Sequence, residues 1–176
     1  VLTNTFGGNK FMLERYGAGD RLFELNRLAA EHARSVAPEG KFVSGSIGPT
    51  GEFIEPLGTA TEDELYDTFA EMCKAFEVGG ADAVMIETQL AIEEAAIAVR
   101  AAKENTGLVV MATMVFDKGP RGYFTMMGVT PEQAVEGLEE AGADVVGTNC
   151  GNGIERMVEI ATRMRAATDK YLVVQS

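Results

Sequence analysis

The chain has 176 residues, 46% of them hydrophobic and 24% charged, a globular composition long enough for one well-buried domain, which excludes disorder and fibres. Fifteen basic against 27 acidic side chains leave a net charge of −12, and a field of that sign repels phosphate backbones and anionic lipid, so neither nucleic acid nor a membrane surface is expected as a partner. No apolar run nears the roughly 18 to 20 residues of a bilayer span and no signal-peptide layout opens the chain, so a cytoplasmic protein is expected.

The first residues, 1–5, read as a strand. Asp20 is placed to cap a helix with the apolar stripe Leu22, Leu25, Ala29, Ala33 and Val36, ended by Pro38 and Gly40. A strand follows at 41–46. Thr61 with Glu64 three residues later forms a capping box for a helix whose face carries Leu65, Phe69, Met72 and Phe76, stopped at Gly79-Gly80. Strands at 82–87 and 108–113 come next. Thr130 then caps a helix with Pro131 at its first position, and Ala134, Val135 and Leu138 run on toward Gly142. Strands at 144–149 and 171–175 complete the series.

Short β-branched runs alternating with helical periods are the mark of βα units on a parallel α/β sheet. Six strands suit either a complete open sheet or three quarters of a (β/α)8 barrel of typically ~250 residues. A chain that opens without Met inside one strand and closes inside another leaves two bare edges, which favours a truncated TIM barrel, incomplete at both ends, over residues 1–176. An internal echo agrees: Gly80-Ala81-Asp82-Ala83-Val84 and Gly142-Ala143-Asp144-Val145-Val146 lie about two βα units apart, aligning Glu87 with Asn149 and Thr88 with Cys150.

In either architecture function gathers where strands hand over to loops at their carboxyl ends. Glu87 ends an apolar strand, as a base, a partner for a substrate ammonium, or a rim ion pair. Cys150, between Asn149 and Gly151, is a nucleophile, a soft metal ligand or a small buried hydrophobe. The stretches 45–51 and 147–153 are glycine-rich, which suits either anion approach or tight turns, and neither has Walker or dinucleotide spacing. Cys73 shares a helix face with Met72 and Phe76 and reads as packing, so two distant cysteines point to a reducing compartment rather than a disulfide. His32 reads as a partly exposed helix residue, and Met111, Met114, Met126 and Met127 as core filler and pocket lining.

Four segments in order, Leu2-Thr3-Asn4-Thr5-Phe6-Gly7, Gly48-Pro49-Thr50-Gly51-Glu52, Ile86-Glu87-Thr88 and Thr148-Asn149-Cys150-Gly151, resemble the homocysteine S-methyltransferase family, and most of all the homocysteine-binding module of cobalamin-dependent methionine synthases. The resemblance implies a (β/α)8 barrel that transfers a methyl group to homocysteine, its thiol activated by Zn²⁺ on three cysteine thiolates. It assigns Cys150 as one zinc ligand, Glu87 to the substrate amino group, and Asn4, Thr5, Ser46 and Asn149 to the pocket. The family's opening Asp-Gly-Ala strand and its Gly-Gly-Cys-Cys-Gly segment, with the other two ligands, are absent. The chain would therefore hold strands two to seven, be inactive alone, and depend on a corrinoid-carrying domain or protein bearing methylcobalamin; betaine and S-methylmethionine are the other donors in the family. The alternatives are a phosphate-binding barrel using the 147–153 loop, and a non-catalytic half-barrel self-associating through its open edges.

Overall fold

A computed structural model describes residues 1–176. After the short helix α1 (Lys10–Glu14) and a 3-10 turn, the elements run α2 (Leu22–Val36), β1 (Ser44–Ile47), α3 (Glu62–Val78), β2 (Ala83–Gln89), α4 (Ile92–Asn105) and β3 (Val109–Met114). A small hairpin, β4 (Asp117–Gly119) and β5 (Gly122–Phe124), precedes α5 (Pro131–Glu140), β6 (Val145–Asn149), α6 (Ile154–Ala167) and β7 (Tyr171–Gln175). One parallel sheet has the order β1-β2-β3-β6-β7. The expected first strand contributes a single parallel bridge, Leu2 to Ser44, because Thr3 and Thr5 turn their hydroxyls inward to bond β1.

Both capping boxes form, at Thr61 with Glu64 and at Thr130 with Gln133. Asp20 does not cap α2: it lies inside the 3-10 turn, and Arg21 stands at the N-cap without a side-chain bond. The buried stripe of α2 is also rotated from the expected one. Leu22, Asn26, Ala30 and Ala33 face inward and Val36 is exposed, because Asn26 is drawn in to donate to the carbonyls of Gly8 and Leu22.

Register decides which face each strand residue takes. Ile47, Ile86, Ala112, Val146 and Leu172 lie in one row across the sheet and pack on the helices, against Phe69, Met72, Phe76, Ala98 and Leu138. The neighbouring row, Ser46, Met85, Met111 and Val145, belongs to the other face, on which Glu87 and Thr113 follow two residues later. No helix is long and apolar enough to cross a membrane.

The echoed Gly-Ala-Asp segments do one job twice at the amino edge. Asp82 accepts the Val43 N–H and pairs with Arg34; Asp144 accepts the Val110 N–H and pairs with Lys103. Each carboxylate thus ties the start of its strand to the neighbouring strand of the sheet and to a helix. The Val43 bond, with Arg34, holds the Asp82 carboxyl below its ordinary value, and at Asp144 burial acts upward but is outweighed by Val110 and Lys103. A carboxyl depressed by folding stabilises above its unfolded value, ~3.9, and loses that contribution as pH falls through the lower folded value. The urea midpoint is therefore expected to drop below about pH 4, and to drop less steeply in the Asp82→Asn, Asp144→Asn double variant.

Candidate functional site at the carboxyl edge

Two hydrogen-bonded clusters meet at the carboxyl ends of β1, β2, β3 and β6. In the first, the Ser46 hydroxyl donates to Glu87 Oε1 (2.5 Å). The Ser46 backbone is clasped from the N-terminal segment, its N–H donating to Thr3 Oγ1 (2.9 Å) and its carbonyl accepting from Thr5 Oγ1 (2.8 Å). Glu87 is half-buried and has no cationic partner in the molecule. Asn4 is exposed and makes no side-chain hydrogen bond, so of the N-terminal pair Thr5 alone joins the cluster.

The second cluster is centred on Asn149, which is 2% exposed. Its Oδ1 accepts the Thr88 N–H (2.9 Å) and the Thr113 hydroxyl (2.7 Å). Its Nδ2 donates to Thr88 Oγ1 (2.8 Å) and to the sulfur of Cys150 (3.2 Å). The Thr88 hydroxyl lies 3.9 Å from the same sulfur. Cys150 is exposed, and its backbone N–H donates to the Gln175 carbonyl on β7 (3.0 Å). One buried amide thus fixes the sulfur against three strands.

Thr88 and Cys150 are the two non-glycine residues with positive φ, at 62° and 59°. A left-handed backbone costs a non-glycine residue on the order of 1–3 kcal/mol and persists where surrounding bonds hold it. Here the holding groups are Asn149 Oδ1 on Thr88 N–H and the β7 carbonyl on Cys150 N–H. The two positions are those aligned by the sequence echo; at Thr88 the reversal lies in an irregularity inside β2, which pairs again with β3 at Gln89, whereas Cys150 directly follows the last residue of β6. Thr88 stands among the strand-end candidates read from sequence, within the Ile86-Glu87-Thr88 motif and the echo, but without an assigned role, whereas Thr113 gave no signal beyond its strand-end position.

Cys73 lies elsewhere, fully buried in α3, and burial pushes its thiol up to about 12. His32 is exposed on α2. No three His, Cys, Asp or Glu side chains are grouped as metal ligands. Zinc in a structural or catalytic site takes at least three protein donors. With Cys150 as the single soft donor at this edge, the residues of this chain alone do not fit that ion.

A family model described as homocysteine S-methyltransferase matches residues 1–176. Among curated proteins, betaine–homocysteine S-methyltransferase 1 of Danio rerio is 34% identical over 148 residues, covering 84% of this chain and 35% of its own. Methionine synthase of Mycobacterium tuberculosis is 30% identical over 168 residues, covering 90% of this chain and 14% of its own. The chain therefore spans about a third or less of the length of these relatives. In fold it is similar to the homocysteine methyltransferase MmuM from Escherichia coli in its metallated form, with a TM-score of 0.70 at 17% identity over 98% of this chain and 64% of that one.

Proposed function

The chain belongs to the homocysteine S-methyltransferase family, and on that premise we propose that residues 1–176 carry the acceptor site of an enzyme that methylates the thiol of homocysteine to methionine. The observation that carries the reading is a juxtaposition: a carboxylate without a cation, Glu87, is followed in the chain by Thr88, whose hydroxyl faces the accessible sulfur of Cys150. An amino acid ending in a thiol has the matching pair of groups, an ammonium for the carboxylate and a sulfur for the soft donor.

The chain's own residues divide the work. Glu87 takes the substrate ammonium, and Ser46, braced by Thr3 and Thr5, orients the carboxylate for it. Asn149 and Thr88 aim two donors at the Cys150 sulfur, so its rotation is restricted before anything binds. Asn4, exposed at the same edge, lines the approach. In the complete enzyme Cys150 would supply one thiolate to a zinc ion held together with donors other than those of residues 1–176, and the ion would keep the substrate thiol deprotonated. The architecture belonging to this reading is a (β/α)8 barrel, of which the Leu2 bridge and the five sheet strands are the second to seventh strands. The methyl donor we assign is methylcobalamin on a corrinoid-carrying domain or protein, on the likeness to methionine synthase over 90% of the chain.

The test is made on the complete gene product, assayed for methionine formation from homocysteine with methylcobalamin and, in parallel, with betaine. Glu87→Gln removes a charge-assisted contact worth about 1.5–3 kcal/mol, which is roughly a 10- to 100-fold rise in the homocysteine KM with a smaller change in kcat. An unchanged KM would remove Glu87 from the site. Absence of methionine with each of these donors and with S-methylmethionine would overturn the reading, and turnover with betaine or S-methylmethionine but not methylcobalamin would overturn the assignment of the donor.

A further inference from the structure

Outside the cluster at Cys150, the connection between β1 and α3 folds over the start of α4 and encloses a cavity of about 300 Å³. Its walls are apolar, formed by Phe53, Ile54 and Leu57 of the connection, Ile97 of α4, and Met127. Phe53, Leu57 and Met127 are substantially exposed, so the cavity opens to solvent along an apolar rim.

Its charged lining is all of one sign. Glu94, in the first turn of α4, lines the cavity and is 6% exposed. Its Oε1 accepts both the N–H (2.6 Å) and the hydroxyl (2.8 Å) of Thr50. Its Oε2 has no hydrogen-bond partner, and no Lys or Arg pairs with it. Glu55 and Glu93, also without ion pairs, stand on the same lining. Clasping the Thr50 loop requires only an acceptor oxygen, which a glutamine would supply. Burial pushes the Glu94 carboxyl above its ordinary value, so the anion is disfavoured in the empty cavity, and a cation placed against the bare Oε2 would offset that cost.

We infer that this cavity is a second binding site, for a small organic cation: an ammonium group meets Glu94 Oε2, and an apolar body fills the space between Phe53, Leu57 and Ile97. The apolar walls select against metal ions and strongly hydrated cations, while the carboxylates select against neutral or anionic molecules of the same shape. The volume accommodates a molecule of roughly ten heavy atoms, at the lower end of ordinary ligand pockets.

The experiment is calorimetric titration of the protein with phenethylammonium and with its neutral counterpart 2-phenylethanol. Saturable binding of the ammonium at least tenfold tighter than the alcohol is expected. Glu94→Gln, which keeps an acceptor for Thr50, is expected to weaken the ammonium at least tenfold and leave the alcohol unchanged. Glu93→Lys, an exposed change that plants a cation on the rim, provides the same test independently of folding at position 94 and is expected to weaken the ammonium severalfold. Equal affinity for the two probes, no saturable binding, or an ammonium affinity indifferent to both variants would overturn the site.

Discussion

Alanine at position 150 is expected to abolish methyl transfer in the complete gene product, by on the order of 10³-fold or more, as for loss of a group that meets the reacting atoms. The expectation follows from the surroundings of the sulfur. Cys150 is exposed at the carboxyl edge, and the Asn149 amide and Thr88 hydroxyl are both directed at it. Serine should be nearly as inactive as alanine, because a hard hydroxyl does not replace a soft thiolate toward a thiophilic metal. Metal content separates this role from a purely structural one: a folded variant that retains a full equivalent of zinc would show that Cys150 is not a donor. The other cysteine provides an internal control. With its thiol buried and pushed up to about 12, Cys73 should resist iodoacetamide in the folded chain while Cys150 is alkylated, as mass spectrometry would read.

The second large effect lies at Gly147→Ala. A Cβ at position 147 would stand 1.9 Å from the Val173 carbonyl oxygen and 2.8 Å from its carbon, both backbone atoms of the neighbouring strand. No side-chain rotation relieves such a contact, so β7 must separate from β6, at a cost of about 3 kcal/mol or more, the upper end for overpacking. The separation reaches the site as well, since the Cys150 N–H is bonded to Gln175 at the end of β7. A lower urea midpoint together with faster amide exchange over Tyr171–Gln175 is the expected signature. Gly7→Ala, where a Cβ meets nothing within 4 Å, should change the midpoint little and serves as the control. A Gly147→Ala variant as stable as the control would mean that the two strands can part without loss.

That positions 87 and 150 share the carboxyl edge of the sheet was legible because both follow apolar strand runs and because the echo aligned each with a counterpart at the end of another strand. Glu94 was not legible in that way. A glutamate in the first turn of a helix ordinarily serves the helix dipole in solvent, and nothing local distinguishes this one from the exposed Glu93 beside it. Its burial depends on the β1–α3 connection, which closes over it from residues 51–61.

By itself the sequence determined the alternation of strands and helices, the caps at Thr61 and Thr130, the paired Asp82 and Asp144, the buried Cys73 and the family. Each of these is written in local spacing, apolar period or a contiguous motif. Tertiary structure alone decided that residues 1–5 give one bridge rather than a strand, that Asn26 instead of Leu25 turns into the core, and that Asn149 ties Thr88, Thr113 and Cys150 together. Those outcomes depend on which backbone donors and acceptors meet across strands up to 62 residues apart. Hydrophobic period specifies which face of an element is buried, but the pairing of its polar groups is settled only when the strands are in register.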